Sequence, residues 1–141
     1  MKVRITRLDP SVPLPSRETA GAAGFDLAAS ADVTIPPGQI ALVPTGLVVK
    51  VPDGYFLGIF ARSSTPLKRG LMVANGVGVI DSDYCGPKDE IKIQLLNFTA
   101  APVDVRRGDR LAQGIFLNYT PAEWEEGETA AQTRGGFGST G

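Results

Sequence analysis

Apolar residues come in short strand-like runs along this chain, with glycine and proline turns recurring between them. "KVRITR" (2–7) alternates. "DVTI" (32–35) stops at Pro36, Pro37 and Gly38. "QIALV" (39–43) stops at Pro44, and "GLVVKV" (46–51) stops at "PDG" (52–54). "YFLGIF" (55–60), "GVGVI" (76–80), "EIKIQLLNF" (90–98), "PVDV" (102–105) and "RLAQGIFL" (110–117) follow. A period of two marks strands with one buried face. Runs that recur about every 8–12 residues with turn chemistry between them predict an all-β sandwich or barrel. No run holds a 3.6-residue period, and "STPLKRG" (64–70) is enough for one helical turn. From Thr120 the pattern ends: "PAEWEEGETAAQT" (121–133) is acidic and polar, and the Gly-rich "RGGFGSTG" (134–141) follows. The expected organisation is one domain, with a β body over 1–119 and an arm over 120–141.

Composition narrows the chemistry. At 141 residues with a net charge of −1, the chain holds one core and lacks the bulk positive charge of a nucleic-acid binder. No apolar run is long enough for a membrane helix, and the alternating N-terminus does not resemble a signal peptide, so neither is expected. The single cysteine, Cys85, has no partner within the chain, which points to a reducing cytoplasm. There is no histidine. A Ser–His or Cys–His triad, a His-ligated zinc and a histidine base are excluded. A general base here is a carboxylate, a lysine, a tyrosine or the thiol.

Five segments carry residues that a β core does not need. "AGFDLAA" (23–29) sets Asp26 among apolar neighbours. "ARSSTP" (61–66) puts Arg62 beside Ser63 and Ser64. "NGVGVIDSDYCG" (75–86) combines three glycines with Asp81, Asp83 and Tyr84, and its glycines suit a hairpin whose backbone approaches a ring edge. "RRGDRLAQG" (106–114) runs from a charged turn into a strand bearing Gln113. The fifth is the Gly-rich end. Each has a plain structural reading: a turn cap for Asp26, a polar loop for the serines, turn acceptors for Asp81 and Asp83, a solvated turn at 107–110, and disorder at the end. Taken together they read differently. Arg62, Ser63, Ser64, Arg134, Ser139 and Thr140, among glycine N–H groups, are the forked cations, hydroxyls and bare donors that a polyphosphate requires. Phe137 stacks on a flat heterocycle in this reading, and a flat ring joined to phosphates is a nucleotide. A lid of this kind is too weak to close without its ligand.

These five segments, in this order, resemble the motifs of the homotrimeric dUTPases (dUTP pyrophosphatases), and the likeness spans nearly the whole chain. The resemblance implies a jelly-roll-like β body of the β-clip type, a homotrimer, and three active sites shared between chains, with the tail supplied by a neighbour. It implies hydrolysis of dUTP to dUMP and pyrophosphate, which keeps uracil out of DNA and supplies dUMP for thymidylate synthesis. It implies Mg²⁺ held by the triphosphate and water with no direct protein ligand, Asp26 lying near that water shell or in support. By match to the motifs, Asp81 activates the water. Tyr84 lies against the deoxyribose. Asn75 and the backbone at Val79, Ile80 and Asp81 face uracil, and Lys92 offers a main-chain contact. Arg62, Ser63, Ser64 and Gln113 bind phosphates. Phe137 covers the base, and Arg134, Ser139 and Thr140 reach the terminal phosphate.

Two departures stand out. The family's tail usually reads R-G-x-G-G-F-G, so Gln132 occupies the arginine's place here and Arg134 lies nearer Phe137. "DYCGPKDEIKI" is also longer than the usual turn after the tyrosine. Two alternatives remain at this level. A dCTP deaminase shares the fold and the R-S-S segment, but the chain has no matching glutamate to activate water at a pyrimidine C4. A non-catalytic nucleotide-binding β-sandwich trimer is the other.

Overall fold

The structure, a computed structural model, describes residues 1–129 and 132–138. Sequence alternation becomes alternate facing in space. The strands are β1 (Arg4–Arg7), β2 (Phe25–Ala28), β3 (Val33–Ile35), β4 (Ile40–Pro44), β5 (Leu47–Lys50), β6 (Tyr55–Ala61), β7 (Leu71–Val73), β8 (Gly78–Ile80), β9 (Lys92–Asn97), β10 (Val103–Val105) and β11 (Arg110–Asn118), with one short helix, α1 (Ser64–Arg69), between β6 and β7. A four-stranded sheet runs β2-β11-β6-β8 and a three-stranded one runs β4-β9-β7, with β1-β5 and β10-β3 as short flanking ladders. Every pairing is antiparallel. The result is an all-β, jelly-roll-like sandwich. Leu27, Leu57, Ile59 and Leu111 of the first sheet share one buried cluster with Val43, Leu71, Ile93 and Leu95 of the second, and Ile35, Val49 and Val105 close it. Among the described residues no helix is long and apolar enough to cross a membrane.

Two strands and one turn differ from the sequence reading. β2 falls on a segment chosen for its aspartate, and its length hides the alternation: only Leu27 is fully buried. β7 has three residues, too few to show a period. The glycine-rich "GVGVIDSDY" does not fold back on itself as a two-stranded ladder. Its β8 instead joins the outer side of β6, with Gly78 opposite Ile59 and Ile80 opposite Leu57, and the chain then turns at Ser82 and Asp83.

The core admits one polar side chain of size. Asn97, fully buried, donates to the carbonyls of Ile35 and Ala101 at 2.8 Å each and accepts from the Thr99 amide and hydroxyl at 2.8 Å each. Both donors and both acceptor positions of the amide are used, so its burial carries no unpaired group.

The short helix is fastened at both ends. At its start the buried Thr65 hydroxyl donates to the Leu111 carbonyl of β11 at 2.7 Å. At its end Gly70 takes a left-handed conformation, φ +64°, where a side chain would be strained, and a Cβ there would also run into Thr99. Arg69 in the last turn bonds Asp109 at 2.7 Å, and the Arg106 N–H donates to the same carboxylate at 2.8 Å. The helix and the 106–110 turn are thereby locked together.

The Arg69 bond, supported by the Arg106 N–H and opposed by partial burial, holds the Asp109 carboxyl below the ordinary value of 3.8. A depressed folded pKa means that the stabilisation is complete above 3.8 and disappears as pH falls through the lower folded value. Asp109→Asn is therefore expected to lower unfolding free energy by about 1–2 kcal/mol near neutral pH, a charged hydrogen bond discounted for partial exposure. Denaturant titrations of both proteins at about pH 7 and about pH 3 check this. A deficit of equal size at both values would exclude the ionised carboxylate as its source.

Candidate active site

The residues expected to face phosphate come together where β6 ends. Arg62 follows the last residue of β6, and Ser63 and Ser64 open α1. Arg62 is not left to wave in solvent. Its Nε bonds Asp26 Oδ1 at 2.9 Å, and its NH1 donates to the Arg110 carbonyl at 3.1 Å. The second Asp26 oxygen accepts from Arg110 at 3.0 Å, and Arg110 also meets Glu18 at 2.7 Å. Glu18 first, then Asp26, raise the Arg110 pKa above its ordinary value, so its charge is permanent. The Ser63 side chain makes no capping bond to α1. That leaves its hydroxyl available to a ligand.

Pairing in the four-stranded sheet explains why these groups meet. On β11, Gln113 stands opposite Asp26 of β2 on one side and Phe60 of β6 on the other. Its amide donates to the Ala61 carbonyl at 3.0 Å, just before Arg62. Two of the five candidate segments thus flank a third across hydrogen-bonded strands. Beside them lies an open concavity lined by Arg62, Ser63, Ser64, Lys68, Asp109 and Arg110, with Arg69 at its wall. Cations outnumber carboxylates there, which suits an anion with several charges.

The residues expected to face the base lie elsewhere. β8 is the outer strand of its sheet, so Val79 and Ile80 sit on a backbone edge with no further strand beside it. Asn75 is exposed in the turn before β8. Asp81 follows Ile80 and is exposed, and the Tyr84 hydroxyl donates to the Glu90 carbonyl at 3.3 Å. Lys92 begins β9 opposite Pro44 with its side chain exposed.

The register places these two groups far apart. Ile80 faces Leu57, so Asp81 comes level with Phe56, whereas Arg62 lies six residues further along the same strand. At about 3.3 Å per residue the separation is roughly 20 Å, far more than three linked phosphates bridge. Arg134 and Phe137 lie on the terminal segment and are exposed. Phe137 carries a positive φ of 50° and no burial. Ser139 and Thr140 lie outside the described residues. The chain by itself therefore assembles Asp26, Arg62, Ser63, Ser64 and Gln113 but does not bring Asp81 or Phe137 to them.

Arg110, Glu18 and Lys68 join the cradle without having been singled out. Arg110 stood within a quoted segment, but its charge is indistinguishable in sequence from those of the solvated Arg106 and Arg107. Glu18 bears no local signal at all: it comes from 92 residues away. Lys68 reads as an ordinary basic residue near a helix end.

A family model for dUTPase matches residues 11–141. A deoxyuridine 5'-triphosphate nucleotidohydrolase of Desulfitobacterium hafniense is 46% identical over 147 aligned positions, which cover 100% of this chain and 95% of the relative. The enzyme of that name from Wolinella succinogenes is 44% identical with the same coverage of both chains. Among solved structures, the dUTPase from Streptococcus mutans is similar with a TM-score of 0.79 and 38% identity, over 88% of this chain and 100% of that one. A match that runs through every one of the five segments, at this identity and over this length, places the chain in the dUTPase family.

Proposed function

We propose that this chain hydrolyses dUTP to dUMP and pyrophosphate. The observation that carries the reading is the cradle at the end of β6, a fixed arginine beside two hydroxyls, in a chain whose relatives are dUTP nucleotidohydrolases along their full length. Arg62, Ser63, Ser64 and Gln113 hold the phosphate chain. Asp26 sets the guanidinium of Arg62 and uses both oxygens in its ion pairs, with Arg110 on the second. The free backbone edge of β8 at Val79 and Ile80, with Asn75 before it, faces the uracil. Backbone donors and acceptors of fixed order reject cytosine, because its amino group meets a donor; buried mismatches of this kind discriminate by about 10⁴ or more. Tyr84 packs on the deoxyribose and excludes a 2'-hydroxyl. Lys92 adds a main-chain contact.

In the chemical step a water oxygen bonds to the α-phosphorus in line with the bridging oxygen, whose bond breaks as pyrophosphate leaves. Asp81 orients that water and takes its proton. Phe137 closes over the base and excludes bulk water, while Arg134, Ser139 and Thr140 reach the terminal phosphate. Among the described residues no three of Asp, Glu, Cys or His stand together as a metal-binding group, and Asp26 is already paired with two arginines. Mg²⁺ carried by the triphosphate and water would neutralise phosphate charge there. Asp26 then supports from behind the arginine.

The distance between the two halves of the site supports completion by other copies of the chain, as a homotrimer with shared sites. So does the outer face of the three-stranded sheet. Ile40, Leu96 and Met72 form a cross-strand row there with Leu42 beside it, and Ile40 and Leu42 are each 56% exposed. Apolar rows of this kind are characteristic of surfaces buried by association. The arm from 120 to 141, with Trp124 almost wholly exposed, belongs in this reading to the assembly and not to its own body. A reducing cytoplasm suits the single thiol.

A panel of nucleoside triphosphates, read for both pyrophosphate and ammonia, checks the reaction. dUTP is expected to give pyrophosphate, with UTP, dCTP and dTTP far behind. Ammonia from dCTP would move the chain to the deaminases, and nucleotide binding with no turnover would make it a binding protein. Asp81→Asn is expected to retain dUTP binding and lose about 10²–10⁴-fold in rate; single-turnover rates within about tenfold of the parent would remove Asp81 from the role.

Sharing between chains has a separate check. A chain lacking 134–141 and an Asp81→Asn chain are expected to be inactive alone and to regain activity when refolded together. Mixed oligomers, confirmed by mass, that stay inactive would show that each chain builds its site from its own tail.

A further inference from the structure

Asp81, Asp83 and Tyr84 are exposed on the rim of the sheet, with Ser82 and Cys85 half-buried beside them, yet the proposed chemistry requires this turn to hold a carboxylate and a ring in fixed places. Its internal bonds are few: Tyr84 N–H to the Asp81 carbonyl at 3.3 Å, Cys85 N–H to the Asp83 carbonyl at 3.1 Å, and the Cys85 thiol, a weak donor, to the Ser82 carbonyl at 3.6 Å. Support comes from outside it. Lys50, the last residue of β5, donates from Nζ to the Ser82 carbonyl at 2.8 Å across 32 residues of sequence. Its position is otherwise unfavourable. In the β1-β5 ladder Lys50 stands directly opposite Arg4, a like-charge pair that costs stability. Bonding to the Ser82 carbonyl draws the ammonium toward an acceptor, so the ladder's least favourable pair is the one that reaches the turn.

The other end of the turn is held by Glu90. Its carboxylate accepts the Gly46 N–H at 2.7 Å, and its carbonyl accepts the Tyr84 hydroxyl. The extra residues before it close on themselves, Gly86 N–H bonding Asp89 Oδ2 at 2.7 Å and Asp89 N–H bonding the Gly86 carbonyl at 3.1 Å. The longer loop thereby leaves Glu90 seated against Gly46. The next residue, Ile91, donates its N–H to the Leu47 carbonyl at 2.9 Å. Asp81 is thus one residue from the β8 ladder on one side and one residue from the Lys50 bond on the other.

We infer that Lys50 is a positioning residue: through the Ser82 carbonyl it fixes the turn between β8 and Glu90, and so sets where Asp81 holds the attacking water. This rests on Asp81 being the general base of the dUTP reaction. Lys50 lies outside all five candidate segments and touches neither the phosphate cradle nor the β8 edge in the bonds described.

Lys50→Met keeps the aliphatic stem and deletes the donor. It is expected to lower kcat for dUTP about three- to tenfold, the worth of one charged hydrogen bond in a partly exposed place, with little change in KM. Lys50→Arg, which retains a donor and a charge, is expected to recover most of the loss. The deciding measurement repeats Lys50→Met in an Asp81→Asn background. If Lys50 acts through Asp81, the second substitution costs nothing further; independent effects multiply. An unchanged kcat in Lys50→Met, a rise in KM alone, or multiplied losses in the double variant would each overturn the assignment. A parent inactive on dUTP, or an Asp81→Asn protein as fast as the parent, overturns the underlying reading and the inference with it. With an active parent and a slow Asp81→Asn protein, the Lys50 variants test the positioning role alone.

Discussion

Antiparallel pairing on both sides of β11 is the constraint from which the phosphate cradle follows. This nine-residue strand carries β2 on one edge and β6 on the other. That puts Asp26, Gln113 and the end of β6 in one cross-strand row. Side chains alternate with a period of two, so a slip of one residue against either neighbour would turn Gln113 or Asp26 to the opposite face. Packing opposes the slip. Phe25 and Phe116 meet with ring centroids 5.8 Å apart, and a Cβ on Gly114 would lie 2.6 Å from the Phe25 ring. The glycine admits the aromatic ring, the ring fixes the register, and the register builds the site.

The cradle solves an electrostatic problem before any ligand arrives. Arginines held close together repel, and a free guanidinium samples many rotamers. Asp26 and Glu18 offset that repulsion, and Asp26 locks Arg62 through its Nε while the Arg110 carbonyl accepts from its NH1. Asp109 does the same for Arg69 while joining helix and turn. The carboxylates near the phosphate site are therefore occupied in orienting cations. Asp81, the carboxylate proposed as the base, follows β8 and lies level with the opposite end of β6, away from those arginines. In the proposed reaction the length of β6 thus separates the proton acceptor from the groups that hold negative charge.

That separation also explains the apolar outer face of the small sheet and the exposed terminal segment. The proposed binding groups lie at opposite ends of β6, and Ile40, Leu42, Met72 and Trp124 are exposed. In the proposed trimer, association of copies would complete both the chemistry and the burial.

Sequence alone determined most strand runs, because runs rich in apolar residues recur between turns whose glycine and proline backbone limits are local. It determined the residue types at the site, since the absence of histidine and the order of five segments limit the chemistry without reference to distance. β2 and β7 were hidden by their brevity: a period of two cannot be seen in three or four residues when packing, not pattern, selects them. Tertiary structure alone decided the partners. Glu18 and Lys50 carry no mark in sequence, and their bonds to Arg110 and Ser82 span 92 and 32 residues. The hairpin expected at 75–86 became an edge strand on β6, since a ladder with a core strand buries more than a ladder with its own continuation. The roughly 20 Å between Asp81 and Arg62 is likewise a matter of register. Local patterns are written residue by residue, but which strand lies beside which is settled only when all the buried faces are closed at once.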